Sequence, residues 1–400
     1  MSRHFRVSFS QDDSESSPKV HARLPTSAGC AAPLVLGGGL AGSMVALRLA
    51  SAGRAVTLIE RERCAHHKVC GEFLSREAID YLEAAGLDLP SLGAQPIRIV
   101  RLTYKKQCFE SALPFTALSL SRMVIDEALL TRAGHAGCRV HRGAFVESLI
   151  RSSGEWNAIL RGGALWAAGT VFLANGKHDV RGFERAAGLQ GDLVGFKLHL
   201  RLSPAQTQIL REAMELYLFP GGYGGISLVE NDVANMCLVI RRARLRRLGG
   251  WSELLASIER ENPHMAERLG GASPLWDRPL AVSSIPYGYL GGRRPDGLWC
   301  VGDQAACIPS FTGDGMSIAL HSATLAAQMF LGGKTSEAYH QDLQAHLSRG
   351  MTLATNLSRF LVTPLGRAMA PIGLSIYPEA LAWIARSTRI PASAIEPLLV

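Results

Sequence analysis

The spacing of apolar and polar residues changes period several times along this chain, and each change predicts an element. Leu34 to Leu36 make a short apolar run that enters Gly37, Gly39 and Gly42. Ala46, Leu49 and Ala50 then recur at helical spacing until Gly53, and Val56 to Ile59 read as a second strand closed by Glu60. A helix N-capped by Ser75, with Glu77 in its first turn, runs to near Gly86. Residues 97–120 alternate as sheet strands with one wet face, and Arg122, Asp126, Leu129 and Leu130 fall on a helix. The stretch from Gly137 to Leu149 reads as a strand pair closing this half, and Val171 to Ala174 as a buried strand ending in Asn175-Gly176.

From Gly191 the period shortens to that of a sheet. VGFKLHLRLS alternates, and MELYLFPGGYGGISLVENDVANMCLVIRR predicts strands around two turns, Gly221-Gly222 and Asn231-Asp232. A helix is expected from Trp251 or Ser252, a strand over Leu298 to Val301, and a helix from Met316. The remainder, from about residue 336, is helical in period, with Pro364, Pro371, Pro378 and Pro391 expected to break it.

Two of these junctions carry chemistry. Gly37, Gly39 and Gly42 stand at G-x-G-x-x-G spacing between a strand and a helix, the context in which this motif binds a dinucleotide. One glycine makes the tight turn, one lets main-chain N–H groups approach a diphosphate, and one brings helix and strand together. Leu40 and Ala41 lie within this turn, at the helix N-terminus where the diphosphate would sit. Glu60, followed by Arg61, is placed to bind a ribose hydroxyl of an adenosine cofactor. The second junction is LWCVGDQAACIPSFTGDGMSIALHSA, residues 298–323, where the strand runs into Gly302-Asp303. After Pro309 the turn Gly313-Asp314-Gly315 opens a helix at Met316, leaving bare amides at a helix N-terminus that face negative charge.

Composition narrows the picture. Hydrophobic residues are 47% and charged residues 19% of 400, which excludes a disordered chain and suggests more than one domain. The net charge of +8 is diffuse apart from Arg241, Arg242, Arg244, Arg246 and Arg247. That run reads first as a solvated edge, and otherwise as a landing strip for an acidic carrier or the 2′-phosphate of NADPH. No basic layout with interleaved aromatics appears, so nucleic acid is not an expected partner. Eight cysteines without C-x-x-C pairs read as reduced thiols, and the spacing of Cys64, His66, His67 and Cys70 matches no usual zinc site, so no metal is expected. Residues 1–31, rich in Ser, Asp and Pro, lack the apolar core of a secretory signal and read as a disordered tail. No apolar run reaches the length of a membrane span, and a cytoplasmic protein is expected.

The glycine turn, the acidic end of the second strand and the loop carrying Lys68, Cys70, Gly71 and Glu72 together resemble the geranylgeranyl-reductase and aromatic-hydroxylase branch of FAD flavoproteins. The G-D-x-A-x-x-x-x-P-x-x-G-x-G-M run resembles the same family's second FAD signature, and LYLFPGGYGGISLV resembles the Tyr/Phe-x-Phe-Pro motif of its reductase branch. The resemblance implies FAD as cofactor, the Cys70 loop running past the isoalloxazine, and Arg122 reaching the FAD phosphates. It also implies that Asp303 accepts from ribityl hydroxyls. At Asn175 to Arg181 the hydroxylases carry D-G-x-x-S-x-V-R; here Asn175 stands for the acid, Gly176 keeps the turn and the stretch is one residue short.

The fold expected is α/β, a Rossmann-like FAD-binding domain (32–95, 120–188 and 278–335) with an inserted antiparallel-sheet substrate domain (96–119 and 189–277) and a helical cover (336–400). The resemblance implies an oxidoreductase, first a monooxygenase acting on an apolar or aromatic, polyketide- or isoprenoid-like substrate in secondary metabolism. The alternatives are a carbon–carbon double-bond reductase of prenyl-lipid type and a flavin-bearing binding protein without turnover. No W-x-W-x-I-P run points to a flavin halogenase. There is no second dinucleotide motif, so electrons are expected from NAD(P)H docking transiently or from a partner reductase. Cys70, Glu72 and Tyr223 are the catalytic candidates, with His178 and His199 behind them. A carrier protein, or a peripheral membrane contact through the apolar residues near Phe360, Leu361, Ile376 and Trp383, completes the list of expected partners.

Overall fold

The computed structural model describes residues 32–292 and 294–399; the tail expected over 1–31 lies outside the described residues. A five-stranded parallel sheet takes the apolar runs of the first half. Leu34–Leu36 lies at its middle, flanked by Thr57–Glu60 on one side and Val171–Leu173 on the other. Arg139–Arg142 and Leu298–Cys300 form the two edges. All three residues of Leu34–Leu36, Val171–Leu173 and Leu298–Cys300 are buried, as strands covered on both faces require. The chain winds outward in both directions from Leu34–Leu36, so the strand order reverses between this strand and Val171–Leu173. Ligands of parallel sheets bind in the crevice at the carboxyl ends of strands at such a point, and Gly37 and Asn175 stand there.

Helix Leu40–Ser51 packs along this sheet with Met44, Val45, Ala46 and Leu49 fully buried. Its close approach depends on Gly42: a Cβ there would lie 1.8 Å from the Gly37 carbonyl oxygen. Helices Arg122–His135 and Gly315–Leu331 complete the cover. The strand pair expected over Gly137 to Leu149 divides instead. Arg139–Arg142 joins the parallel sheet, whereas Val146–Ser152 starts a separate three-stranded meander with Glu155–Leu160 and Leu165–Ala168. Gly143, at φ 73°, turns the chain between them.

The second layer is a nine-stranded sheet. Leu193–Arg201, Val233–Arg241, Gly222–Val229 and Ala213–Phe219 run antiparallel in that spatial order, around turns where the sequence places them. Gln95–Tyr104 then joins Ala213–Phe219 in a parallel pairing, Ile99 opposite Ala213, a departure from the antiparallel block that alternation suggested. Alternation fixes which side chains share a face and is silent on strand direction. Leu280–Ser283 pairs with Leu193–Arg201 in the same sheet. Helices Trp251–Glu261 and Pro263–Leu269 bury one face on Phe196, Leu198, Tyr217 and Leu238. On the other face Leu218, Tyr223 and Val239 meet Leu361, Val362, Leu374 and Leu381 of the C-terminal helices.

Those helices are Ser336–Leu361, Pro364–Ile376, Ala380–Ser387 and Ala392–Leu399. Pro364 sits in the first turn, where its missing N–H is no loss, and Pro378 and Pro391 fall between helices. Pro371 lies inside Pro364–Ile376 and does not end it, against the break expected there. It is buried in the helix's inner face, where packing offsets the lost hydrogen bond. Glu215 braces the larger sheet from within: it accepts from Arg268 at 2.9 and 2.6 Å, Arg101 at 3.2 Å and the Tyr217 hydroxyl at 2.6 Å.

Burial alone would raise the Glu215 pKa, but Arg268 and Tyr217 hold it below 4.5. Its stabilising contribution is therefore full above pH 4.5 and lost as pH falls through the folded value. Arg268→Met is expected to lower unfolding free energy at neutral pH by about 3 kcal/mol, the scale of a broken buried pair. Urea titrations at neutral and acid pH check this, because the wild-type loss on acidification should flatten in the variant.

Candidate functional site

The glycine turn leaves the sheet with Gly37 at φ 108°, its N–H bonded to the Ile59 carbonyl at 2.8 Å, and helix Leu40–Ser51 begins directly after it. Four unpaired main-chain N–H groups at a helix start give partial positive charge and hydrogen-bond donors aimed outward. Glu60, at the end of the neighbouring strand, is fixed by the N–H groups of Gly38 at 2.6 Å and Glu62 at 2.9 Å. Opposite the turn stand two cations. Lys68 Nζ lies 2.7 Å from Asp126, and Arg122 makes a two-point contact with the same carboxylate at 2.8 and 3.0 Å. Burial would lower the Arg122 pKa, and Asp126 raises it above its ordinary value, so this guanidinium stays charged. A Cβ on Gly39 would come within 3.2 Å of Lys68 Nζ and 3.5 Å of Arg122 Nη2, which leaves only bare backbone facing the two cations.

A cleft of about 2090 Å³, partly open to solvent, runs from this turn to the second glycine-rich segment. Gly37, Gly39, Leu40, Ala41, Glu60 and Arg61 line one end. Lys68, Cys70, Gly71, Glu72, Arg122 and Gly176 line its middle, with Gly302, Asp303, Gly313, Gly315 and Met316 beyond. Of the other residues singled out from sequence, Gly42 serves the helix contact already described. Pro309 precedes the short turn Ser310–Thr312, and Asp314 turns away from the cleft to pair with Arg389 at 2.7 Å. Burial raises the Asp314 pKa, against the lowering effect of Arg389. Tyr223 lies in a neighbouring pocket, its hydroxyl 3.1 Å from Ser358 Oγ.

The residues present fit FAD. Cations and helix N–H groups meet at one end where a diphosphate needs them, with a carboxylate beside them for a ribose. Along the rest of the cleft a Cβ added to Gly71, Gly176 or Gly315 would meet nothing within 4 Å, so these glycines open flat wall rather than packed core. Asn175 lines the cleft, and its buried Oδ1 has no hydrogen-bond partner among the described residues, an acceptor free for a cofactor.

The loop under the middle of the cleft is anchored on Glu72, at φ 57° and fully buried. Its carboxylate accepts from Lys197, from His199 at 3.0 Å and from the Arg122 N–H at 2.7 Å. Burial would raise the Glu72 pKa, but His199 and Lys197 hold it below the usual value. His199 stacks on Trp276, ring centroids 4.9 Å apart, and edges His67, whose own pKa falls to about 4 through burial and the nearby positive charges. His67, Glu72 and His199 are the one group with ligand atoms close enough together, within 4.8 Å, to hold a metal among the described residues. The Lys197 ammonium already occupies the carboxylate there.

Sequence reasoning passed over Lys197, Lys177, Arg185 and Gln304. Lys177 lines the cleft 3.8 Å from Asp303. Gln304 Nε2 bridges the Gly176 and His178 carbonyls at 2.8 and 2.9 Å, and Arg185 donates to the Asp303 and Lys177 carbonyls at 2.9 and 2.8 Å. These side chains sew the turn after Val171–Leu173 to the second glycine segment. Only Lys197 carried a sequence signal: a lysine at an inward position of an otherwise apolar alternating strand. His178 lines the cleft, its pKa lowered by burial and then by Arg61 and Lys177.

Comparison with known proteins agrees with this geometry. The family of FAD binding domains matches residues 31–169. The menaquinone reductase of Mycolicibacterium smegmatis is 25% identical over 83% of this chain and 84% of its own. Digeranylgeranylglycerophospholipid reductase 2 of Methanopyrus kandleri is 26% identical over 77% of this chain and 78% of its own. Among solved structures, the FAD-dependent halogenase of myxobacterial chondrochloren synthesis superposes with a TM-score of 0.71 at 18% identity, covering 92% of this chain and 95% of that one, a likeness of fold.

Gly39→Val is expected to fill the cradle and abolish flavin retention, read as loss of the visible flavin absorbance after gel filtration. Arg122→Ala, which leaves Asp126 paired with Lys68, should weaken FAD binding by about ten- to a hundredfold, as loss of one charge-assisted contact does. Fluorescence titration of the apoprotein measures it.

Proposed function

We propose that this FAD-dependent oxidoreductase reduces a carbon–carbon double bond in an apolar, isoprenoid-like substrate, with NAD(P)H as electron donor, a reading that its likeness to a menaquinone reductase and to a digeranylgeranylglycerophospholipid reductase supports. One observation carries this reading. An apolar pocket, partly open to solvent, shares Phe73, Cys237, Ser310 and Gly313 with the cofactor cleft and is walled by Val100, Leu113, Leu216, Leu238, Phe311 and Leu381. Two of its polar groups are engaged: Tyr223 with Ser358, and Arg389 with Asp314 and the Thr312 carbonyl at 2.9 Å. Among the described lining residues the Thr312 hydroxyl is a polar group left without a hydrogen-bond partner; the rest of the wall is apolar and suits a hydrocarbon chain. Gly224 and Gly225 keep one wall low: a Cβ on Gly224 would lie 2.7 Å from the Leu238 side chain.

Bound FAD, once reduced, supplies a hydride equivalent. The chain's own residues orient the alkene, exclude water and deliver a proton to the second carbon. Cys70 is the residue we assign to that proton. It is half-buried on the cleft, and its Sγ accepts the Glu72 N–H at 3.4 Å. Hydride and proton together saturate one double bond, and solvent reprotonates the thiolate. Glu72, locked by Lys197 and His199, positions this loop. Helix Ala380–Ser387 lines one side of the pocket with Leu381, Ile384 and Ala385, apolar side chains that would help to exclude water once a substrate is bound.

Hydroxylation of the same substrate by O₂ is the second reading, supported by the Asn175-Gly176 turn on the cleft. Against it, Arg181, the arginine of the hydroxylase-like run, is exposed, and the bracing at this turn is made by Arg185. Oxygen dependence separates the two. Under anaerobic conditions with NADPH and an isoprenoid alkene, a saturated product is expected, one NADPH consumed per double bond. Oxygen-18 in the product after admission of labelled O₂ would transfer the assignment to hydroxylation. Cys70→Ala should retain FAD and lower the reduction rate by about a hundredfold, the scale of a lost general acid.

A further inference from the structure

Large apolar side chains exposed at the surface are unevenly distributed. Seven of the twelve among the described residues fall between Phe360 and Trp383. In helix Pro364–Ile376, Leu365, Met369, Ile372 and Ile376 recur at spacings of a single helix face and point to solvent, with Leu365 65% and Ile376 79% exposed. The opposite face of the same helix, at Gly366, Pro371 and Leu374, is buried against the rest of the chain. Apart from Arg367 on the buried side, the helix is apolar on both sides, as a core helix or one that meets lipid is, and its outer side is exposed among the described residues. Helix Ala380–Ser387 follows after a bend of 108° and repeats the arrangement. Trp383 is half-exposed, while Leu381, Ile384 and Ala385 line the apolar pocket.

The charge around this bend is one-sided. Residues 359–386 hold three arginines, Arg359, Arg367 and Arg386, against one carboxylate, Glu379. Arg359 and Arg386 are exposed. The basic helix Arg242–Leu248 stands alongside. Burial is the main cause lowering the Arg367 pKa; Tyr104 and Glu261 oppose it, and the charges of Arg244 and Arg241 add to it. Arg246 and Arg247, in the last turn of that helix, are exposed. An apolar ridge bordered by arginines matches the layered chemistry of an anionic membrane surface, acyl chains beneath and phosphates above. Among the described residues no single helix is long and apolar enough to cross a membrane; Leu374, Leu381 and Ala385 of this bent pair are buried against the rest of the chain, which leaves only its outer side for lipid.

We infer that the bend formed by Pro364–Ile376 and Ala380–Ser387 seats on an anionic lipid bilayer, and that the pocket behind Leu381, Ile384 and Ala385 fills from the acyl-chain layer. The second half of this statement rests on the proposed reading of that pocket as the site of an apolar substrate; the first half does not.

The test uses the FAD-loaded full chain and sucrose-loaded vesicles of phosphatidylcholine, with and without phosphatidylglycerol, separated by centrifugation. Wild-type protein should sediment with the phosphatidylglycerol vesicles, less with phosphatidylcholine alone, and partly dissociate in high salt. Leu365→Ser with Ile376→Ser should cut partitioning by at least about tenfold, with flavin absorbance and melting temperature unchanged, as lost insertion of two side chains implies. Arg246→Gln with Arg247→Gln should reduce the preference for phosphatidylglycerol. Failure of the wild type to sediment, or equal sedimentation of the serine variant, overturns the inference. So does a wild type that self-associates through this patch and ignores vesicles. Partitioning is read without turnover, so vesicle binding without alkene reduction would sink the reaction assignment alone. Reduction of a detergent-dispersed alkene by a protein that ignores vesicles would sink the membrane assignment alone.

Discussion

One buried carboxylate holds the two layers of this protein in register. Glu72 belongs to the chain segment that leaves the cofactor side, and its charge is met by Lys197 and His199 from the large sheet and by the N–H that opens helix Arg122–His135. An isolated carboxylate so placed would be protonated or expelled, and compensation from both layers is what keeps it ionised and fixed. The left-handed backbone at Glu72 is held by those contacts, and it sets the course of Cys70 and Gly71 along the cleft. The loop under the middle of the cleft is thus stiff because it is tied to the large sheet. The wall of the cleft and the large sheet share a single anchor.

The rest of the cleft is built from short-range rules applied twice. Each end uses a glycine turn between a buried strand and a helix N-terminus, and the side chains of Gln304 and Arg185 knit the intervening turn to the second of these. The apolar pocket adjoins the cleft at the large sheet and shares Cys237 and Gly313 with it, so on the proposed reading an alkene there would face the cofactor.

Local signals made much of this legible in the sequence. The glycine turn and Glu60 lie within one strand–helix–strand unit, and the second turn within one strand and one helix, so spacing alone revealed both. Gly42 was readable because helix and strand adjacent in sequence must touch. The antiparallel strands around Gly221-Gly222 and Asn231-Asp232 followed from alternation and turn residues. What escaped depends on distance or direction. Nothing near Glu72 announces that Lys197 and His199 will meet it, and a polar residue in a loop reads as a catalytic candidate when its partners are unseen. The parallel pairing of Gln95–Tyr104 with Ala213–Phe219, the departure of Val146–Ser152 into its own meander and the survival of a helix through Pro371 are all decided by tertiary packing. Asp314, read as facing the cofactor, is turned by Arg389 near the far end of the chain.

The central claim is that two distant segments of one chain close on a single flavin dinucleotide. Calorimetric titration of FAD into flavin-free protein tests it most directly. One equivalent should bind with saturation, and the protein should become yellow with quenched flavin fluorescence. Heat of dilution alone, with a protein that stays colourless in excess FAD, would contradict it.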